Sequence, residues 1–211
     1  MGLWTERVVP RIVDRALSID EVMKDRERVC ARLTGQVIEV GFGSGLNIEA
    51  YPPAVESVAA VEPSDVAWRM SAARRAASRT TITRSGLDGQ RLDEPDDSFD
   101  SALSTFTLCT IPDVKQALRE IRRVLRPGGS FCFLEHGLAP DAGVARWQHR
   151  IDPVEQAVVG GCHLTRDIER LVSGAGFAID ELDRRYLPGP GLGRPWTYVY
   201  AGVALAAEWG G

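Results

Sequence analysis

Apolar and polar positions change period along the chain. From residue 35 onward, short apolar runs bounded by glycine, proline or acidic residues alternate with stretches in which apolar residues recur every three to four positions. Five runs read as buried strands, at 36–40, 57–62, 80–84, 99–105 and 130–136. The stretches between them predict helices over 46–51, over 64–77 with Ser64 as N-cap, and over 114–125 behind Asp113, the last closed by Pro127, Gly128 and Gly129. A helix over 165–175 follows. Two late strands, 177–182 and 197–204, then read as an antiparallel hairpin at the sheet edge, joined through the glycine- and proline-rich segment 188–195. Ahead of the sheet, 17–33 reads as one amphipathic helix that packs on the sheet or lids a ligand cleft. Continuously apolar strands alternating with helices predict an α/β fold on a mainly parallel sheet.

With 211 residues, 44% of them hydrophobic, and no internal repeat, the chain predicts a single domain, 1–211, with 1–34 as an N-terminal helical cover and 35–204 as the core. A net charge of -4 without a long block of one sign argues against a nucleic-acid tract or a polybasic membrane anchor. Cys30, Cys109, Cys132 and Cys162 are widely spaced, with no C-x-x-C pair and no zinc-type His/Cys spacing. They predict reduced thiols in a cytoplasmic protein with no metal site. The first fifteen residues lack the apolar core of an export signal, and no stretch approaches the ~20 apolar residues of a membrane span. The expectation is a protein with no integral membrane segment, for which peripheral membrane contact stays open.

Candidate chemistry begins at Val37-Ile38-Glu39-Val40-Gly41-Phe42-Gly43-Ser44-Gly45, a buried strand that runs into a turn only glycines make easily. A helix starting near Leu46 would aim its N-terminal dipole at a ligand. A dinucleotide fingerprint needs its third glycine at Leu46; here it is Gly45, which disfavours a nicotinamide dehydrogenase. Glu62 follows the loop by about 20 residues, the spacing at which an acid reaches ribose hydroxyls. Loop and acid together describe an adenosyl site without a pyrophosphate. Glu39, a carboxylate inside an apolar strand, has to be paired locally or face a ligand.

These motifs resemble those of the class I S-adenosylmethionine (SAM)-dependent methyltransferases, in order, from about residue 35 to 204. Val37 to Gly45 is similar to their first motif, and Val61-Glu62-Pro63-Ser64 to their ribose-binding acid and turn. Asp88-Gly89-Gln90-Arg91-Leu92, with Asp96 to Asp100, resembles their adenine-binding stretch, and Leu118 to Gly129 the helix and turn before their fifth strand. The resemblance implies a Rossmann-like three-layer sandwich with a seven-stranded sheet of order 3-2-1-4-5-7-6, strand 7 antiparallel. It implies SAM as cofactor, bound by Glu39, Gly41, Phe42, Gly43, Gly45, Asn47, Glu62, Pro63, Asp88, Gly89, Thr105 and Phe106. In it, Glu39 faces the methionine amino group, Glu62 holds the ribose hydroxyls, Asp88 bonds the adenine amine, and Thr105 and Phe106 border the sulfonium.

A narrower likeness lies in Thr107-Leu108-Cys109-Thr110-Ile111, Phe133-Leu134-Glu135-His136 and Gly160-Gly161-Cys162-His163-Leu164-Thr165-Arg166, which resemble the microsomal alkyl thiol S-methyltransferases and their bacterial relatives. That likeness implies a small, apolar acceptor, with a thiol leading. Its candidate residues are Cys109, His136, Cys162, His163 and Trp196, with His136 as a catalytic base or orienter against the alternative of a loop-bonded histidine. Cys109 and Cys132 also read as core thiols, and Trp147, Trp196, Tyr198 and Tyr200 as packing or as an acceptor wall. A lipid headgroup amine or a quinone-like ring is the alternative acceptor. A SAM-binding module without transferase activity is the alternative from another class.

Overall fold

β1 (Gly35–Val40), β2 (Val55–Val61), β3 (Thr81–Gly86), β4 (Phe99–Thr105), β5 (Leu125–His136), β6 (Phe177–Tyr186) and β7 (Tyr198–Ala206) form one seven-stranded sheet in the computed structural model, which describes residues 8–207. The order is β3-β2-β1-β4-β5-β7-β6, parallel from β3 to β5, with β7 antiparallel to both β5 and β6. This is the order the resemblance implied. The reversal of strand order between β1 and β4 opens a crevice beyond their carboxyl ends, where ligands of open α/β sheets bind.

Helices cover both faces: α1 (Val9–Ala16), α2 (Asp20–Cys30), α3 (Asp65–Met70), α4 (Ala72–Ala77), α5 (Val114–Val124), α6 (Ala142–Val158), α7 (Ile168–Gly174) and α8 (Arg194–Thr197). Because side chains alternate along a strand, Ile38, Val40, Ala102, Phe131 and Phe133 pack toward α5 and α7. Val37, Val58, Leu103, Cys132 and Leu134 pack toward Val22, Val29 and Cys30 of α2. Leu118 and Ile121 of α5 are fully buried, each contributing about 1.5–3 kcal/mol by leaving water.

Four helical expectations change. The helix predicted over 17–33 is shorter, Asp20–Cys30, because Ile19 is extended, and a separate helix that was not predicted, Val9–Ala16, precedes it and ends where the Ser18 hydroxyl turns back onto the Arg15 carbonyl. Residues 46–51 form only a 3-10 turn, Ile48–Ala50, since Gly45 has φ +78° and Pro52 stops propagation. Among the described residues no α-helix therefore starts directly behind the glycine loop. The helix over 64–77 starts under Ser64, whose hydroxyl accepts from Ala67 N, but breaks at Ser71, whose hydroxyl donates to Trp68 O at 2.7 Å. Finally, α6 was not predicted: its Trp147, Val154 and Val158 point outward while Gln148 and Asp152 are buried, the reverse of an amphipathic pattern.

α2 is pinned to the sheet edge by ion pairs as well as apolar contact. Arg185 Nη2 bonds both Asp25 oxygens at 2.5 and 2.6 Å, and Arg28 and Arg32 reach Asp183 and Glu181 at 3.0 and 2.6 Å. α1 lies over the glycine loop, where Asp14 Oδ1 accepts from Ser44 Oγ at 2.5 Å and from Arg74 at 3.2 Å. Among the described residues no helix is long and apolar enough to cross a membrane.

Candidate active site

The crevice beyond β1, β2 and β4 has a polar floor and an apolar roof. Gly41, Phe42, Gly43, Glu62, Thr105 and Phe106 form the floor; Pro10, Val13 and Leu17 of the α1 segment form the roof, with Arg26 of α2 at one side. Gly41 has φ +80°, and a Cβ there would fall inside the Thr107 side chain. Gly43 differs: it has φ +59°, yet a Cβ would meet only Gly41 O, at 3.9 Å. Open space at a left-handed turn facing a cleft is the cradle a close-lying ligand fills.

Glu62 follows β2 and is 5% exposed. One oxygen accepts from Gly43 N at 2.7 Å and the other from Ser64 N at 2.6 Å, so the acid fixes the glycine loop to the second strand. Each carboxylate oxygen keeps a second acceptor site for a vicinal diol. Burial raises its pKa, opposed by those two N–H donors and by Arg84. The residues present thus fit an adenosyl ligand: open space at Gly43 and a held acid at ribose distance from it.

Below the loop a buried network joins three elements. Asn47 donates through Nδ2 to Glu39 Oε1 and to Thr105 Oγ1, both at 2.9 Å, and accepts from Arg26 Nη1 at 2.6 Å. Arg26 Nη1 also reaches Thr105 Oγ1 at 2.8 Å, while its Nε is buried with no partner among the described residues. Tyr51 donates to the other Glu39 oxygen. Complete burial pushes the Glu39 carboxyl up to about 7, against the pull of Tyr51, Asn47 and Arg26. Glu39 is therefore paired locally and also stands one residue behind the ligand loop.

Phe106 takes the left-handed conformation, φ +51°, which is rare for an aromatic residue. Its neighbours hold it there. Glu135, fully buried on β5, accepts from Thr107 N at 2.9 Å, Leu108 N at 3.1 Å and Ser104 Oγ at 2.8 Å. Asp88 is exposed, and its Oδ1 accepts from Gln90 N at 2.9 Å in its own turn. It does not line the cleft. Gly89 packs that turn against the end of β1, since a Cβ there would stand 2.7 Å from Val40 Cγ1.

The residues of the narrower likeness separate into two groups. Cys109, His136 and Cys162 converge: their Sγ and Nε2 atoms lie within 4.8 Å of one another, with His136 Nε2 2.9 Å from Cys162 Sγ. Hydrogen bonding with Cys109, and then the His136 contact, outweighs burial and lowers the Cys162 thiol to about 5, whereas Cys109 is pushed well up. Burial opposes charge on His136, but the Cys162 sulfur and nearby carboxylates outweigh it and raise its pKa. His136 thus faces Cys162 rather than the cleft wall. His163 adjoins the group through its N–H on Cys109 O at 2.9 Å. Trp196 stands apart, 45% exposed, with its indole N–H on Glu155 at 3.1 Å. Tyr198 and Tyr200 are buried and stack edge-to-face with centroids 5.4 Å apart, as packing. Cys132 is a core thiol pushed up to about 12 by burial.

Arg26, Tyr51, Thr107 and Glu135 are site residues that the sequence reading did not single out. Arg26 left a signal: it falls on the buried face of α2, in register with Val22, Val29 and Cys30, where a lone charge needs a partner.

Comparison with known proteins agrees with this architecture. A family model described as a methyltransferase domain matches residues 38–133. Thiol S-methyltransferase TMT1B of Rattus norvegicus is 28% identical over 196 residues, spanning 90% of this chain and 78% of that protein. Thiol S-methyltransferase TMT1A of Homo sapiens is 30% identical over 175 residues, spanning 78% and 69%. A phosphatidylethanolamine N-methyltransferase of Cereibacter sphaeroides is 28% identical over 160 residues, spanning 70% and 74%. In fold, the chain is similar to the YcgJ protein of Bacillus subtilis, with a TM-score of 0.71 at 16% identity over 88% of this chain and 99% of that one. Fold, glycine loop and relatives together define a transferase that uses SAM. The chain belongs to the class I SAM-dependent methyltransferases.

Proposed function

We propose that this methyltransferase acts on the sulfur of a small, apolar thiol. The observation that carries the reading is the roof of the cleft, where Pro10, Val13 and Leu17 close an apolar surface over Phe106. Such a lining suits an uncharged, apolar acceptor. The thiol S-methyltransferases among the relatives support the same acceptor class.

When bound, SAM supplies an electrophilic methyl group on a sulfonium that is already a good leaving group. The chain's own task is then positioning. Glu62 would accept from the ribose hydroxyls, and the backbone of 41–45 would hold the methionine portion. Glu39, just behind the loop, would face the amino group, and Arg26, at the side of the cleft, would balance the carboxylate. Thr105 and Phe106, fixed by Glu135, form the edge against which the acceptor is aligned. Holding two reactants in line is worth up to ~10⁸ M in effective concentration, so no strong base is required. The thiolate is the reactive form, and the fraction of it at neutral pH is set by the acceptor's own pKa, for which about 8.5, the cysteine value, is the acidic end.

The test is a panel of small alkyl thiols, ethanolamine-type amines and phenols with methyl-labelled SAM. Label appearing in thioethers is the expected result. Label confined to amine or phenol products would overturn the thiol assignment and leave the methyltransferase class standing.

A further inference from the structure

Cys109, His136 and Cys162 come from three separate places: the loop after β4, the carboxyl end of β5 and the loop after α6. Nothing in their spacing along the chain marks them as a set, which is why the sequence predicted no metal site. In space, two sulfurs and one imidazole nitrogen meet within 4.8 Å. We propose that Cys109, Cys162 and His136 bind one zinc ion, as a three-ligand site with its fourth position open.

The dimensions agree. Zinc takes thiolate sulfur at about 2.3 Å and imidazole nitrogen at about 2.0–2.1 Å, which spaces tetrahedral ligand atoms about 3.4–3.8 Å apart. The triad needs only a side-chain adjustment, chiefly an opening of the 2.9 Å contact between His136 Nε2 and Cys162 Sγ. The ligand-bearing backbone is held on each side. Glu135 anchors Thr107 N and Leu108 N next to Cys109; His163 N bonds Cys109 O at 2.9 Å; and Leu164 N bonds Asp152 Oδ1 at 2.6 Å beyond Cys162.

Donor chemistry selects the ion. Two thiolates and a neutral imidazole suit a borderline-soft cation and disfavour calcium or magnesium, which take oxygen ligands. Binding exchanges two protons of the triad for one divalent ion, leaving zinc, both thiolates and the neutral imidazole uncharged in sum, so the charge is tolerable in a buried place. Cys109 and Cys162 are 2% and 4% exposed, yet they face one another and a histidine rather than the aliphatic packing that surrounds Cys30 and Cys132. Three protein ligands are the number found in zinc sites that keep an exchangeable fourth position.

The experiment uses purified full-length protein, stripped with a chelator and titrated with Co²⁺ as a spectroscopic stand-in and then with Zn²⁺. One equivalent of Co²⁺ should produce thiolate-to-metal charge-transfer absorption with the strong ligand-field bands of a tetrahedral site, and one equivalent of Zn²⁺ should abolish them. Cys109→Ser and Cys162→Ser should each weaken Zn²⁺ binding by about a hundredfold or more, whereas Cys132→Ser should not. SAM affinity measured on the same variants reports whether the fold survives, and it separates failure of the metal site from failure of the methyltransferase reading. No charge-transfer band in protein that binds SAM would overturn the proposal, as would a band that persists in a Cys109→Ser, Cys162→Ser double variant.

Discussion

Arg26 on α2 donates to Thr105 Oγ1 at the end of β4 across 2.8 Å, tying the N-terminal helix to a strand whose end lines the cleft. The same guanidinium bonds Asn47 and stands among Glu39 and Glu135. Removing it strands buried carboxyl groups without their cation, a change that costs about 3–5 kcal/mol. Arg26→Ala should therefore lower the melting temperature and abolish tight SAM binding. Arg26→Lys should restore much of the stability but not the affinity, because the branched donor set is lost. Calorimetric titration with SAM on folded Arg26→Lys checks this; wild-type affinity there would remove Arg26 from the ligand site.

Glu62 supports both the glycine loop and the proposed ribose contacts. Bonds from hydroxyls to a carboxylate are worth about 1.5–3 kcal/mol each, so Glu62→Ala should weaken SAM binding at least tenfold. Adenosylhomocysteine should lose affinity in parallel, since it carries the same ribose. A large loss for one ligand and none for the other would contradict the assignment.

The Glu39 carboxyl gives a pH dependence with a definite sign. Its pKa stands at about 7 in the folded protein against an ordinary 4.5, so the folded state holds an extra proton between these values. The stability this provides is fully present below about pH 4.5 and is lost as pH rises through 7, a change of about 3 kcal/mol. Glu39→Gln should flatten that slope in denaturant titrations at pH 5 and pH 8. An ammonium facing Glu39 favours its ionised form, so SAM affinity of the wild-type protein should rise from pH 5.5 to 7.5, with proton release visible in buffers of different ionisation heat. Affinity independent of pH across that range would place the methionine amino group elsewhere.

α1 is held on the loop by Asp14 and Ser44, at 2.5 Å. A partly exposed hydrogen bond of this kind contributes about 0.5–1.5 kcal/mol, so Asp14→Ala should speed SAM release about two- to tenfold. Ser44→Ala should add little to Asp14→Ala if the two act as a pair. Stopped-flow release rates for the two single variants and the double variant measure this.

The parallel core of the sheet was legible because β1 and β4 are short, mostly buried segments bounded by glycine and acidic residues and separated by helical stretches. The glycine turn after β1 was legible because Gly41, Gly43 and Gly45 take backbone angles that favour glycine. What escaped obeyed other physics. α6 buries Gln148 and Asp152 and exposes Trp147, so periodicity points the wrong way. The 46–51 helix was cut to one 3-10 turn between the left-handed Gly45 and Pro52. The meeting of Cys109, His136 and Cys162 depends on β4 and β5 lying side by side and on the loop after α6 returning to them, a relation that residue spacing does not encode.

The most direct test of the account is stoichiometry in one reaction of purified protein, SAM and a small alkyl thiol. Adenosylhomocysteine and the methyl thioether are quantified together by mass spectrometry. The account requires both products to accumulate with turnover and in a one-to-one ratio. Tight SAM binding with no adenosylhomocysteine, or adenosylhomocysteine without thioether, would contradict it.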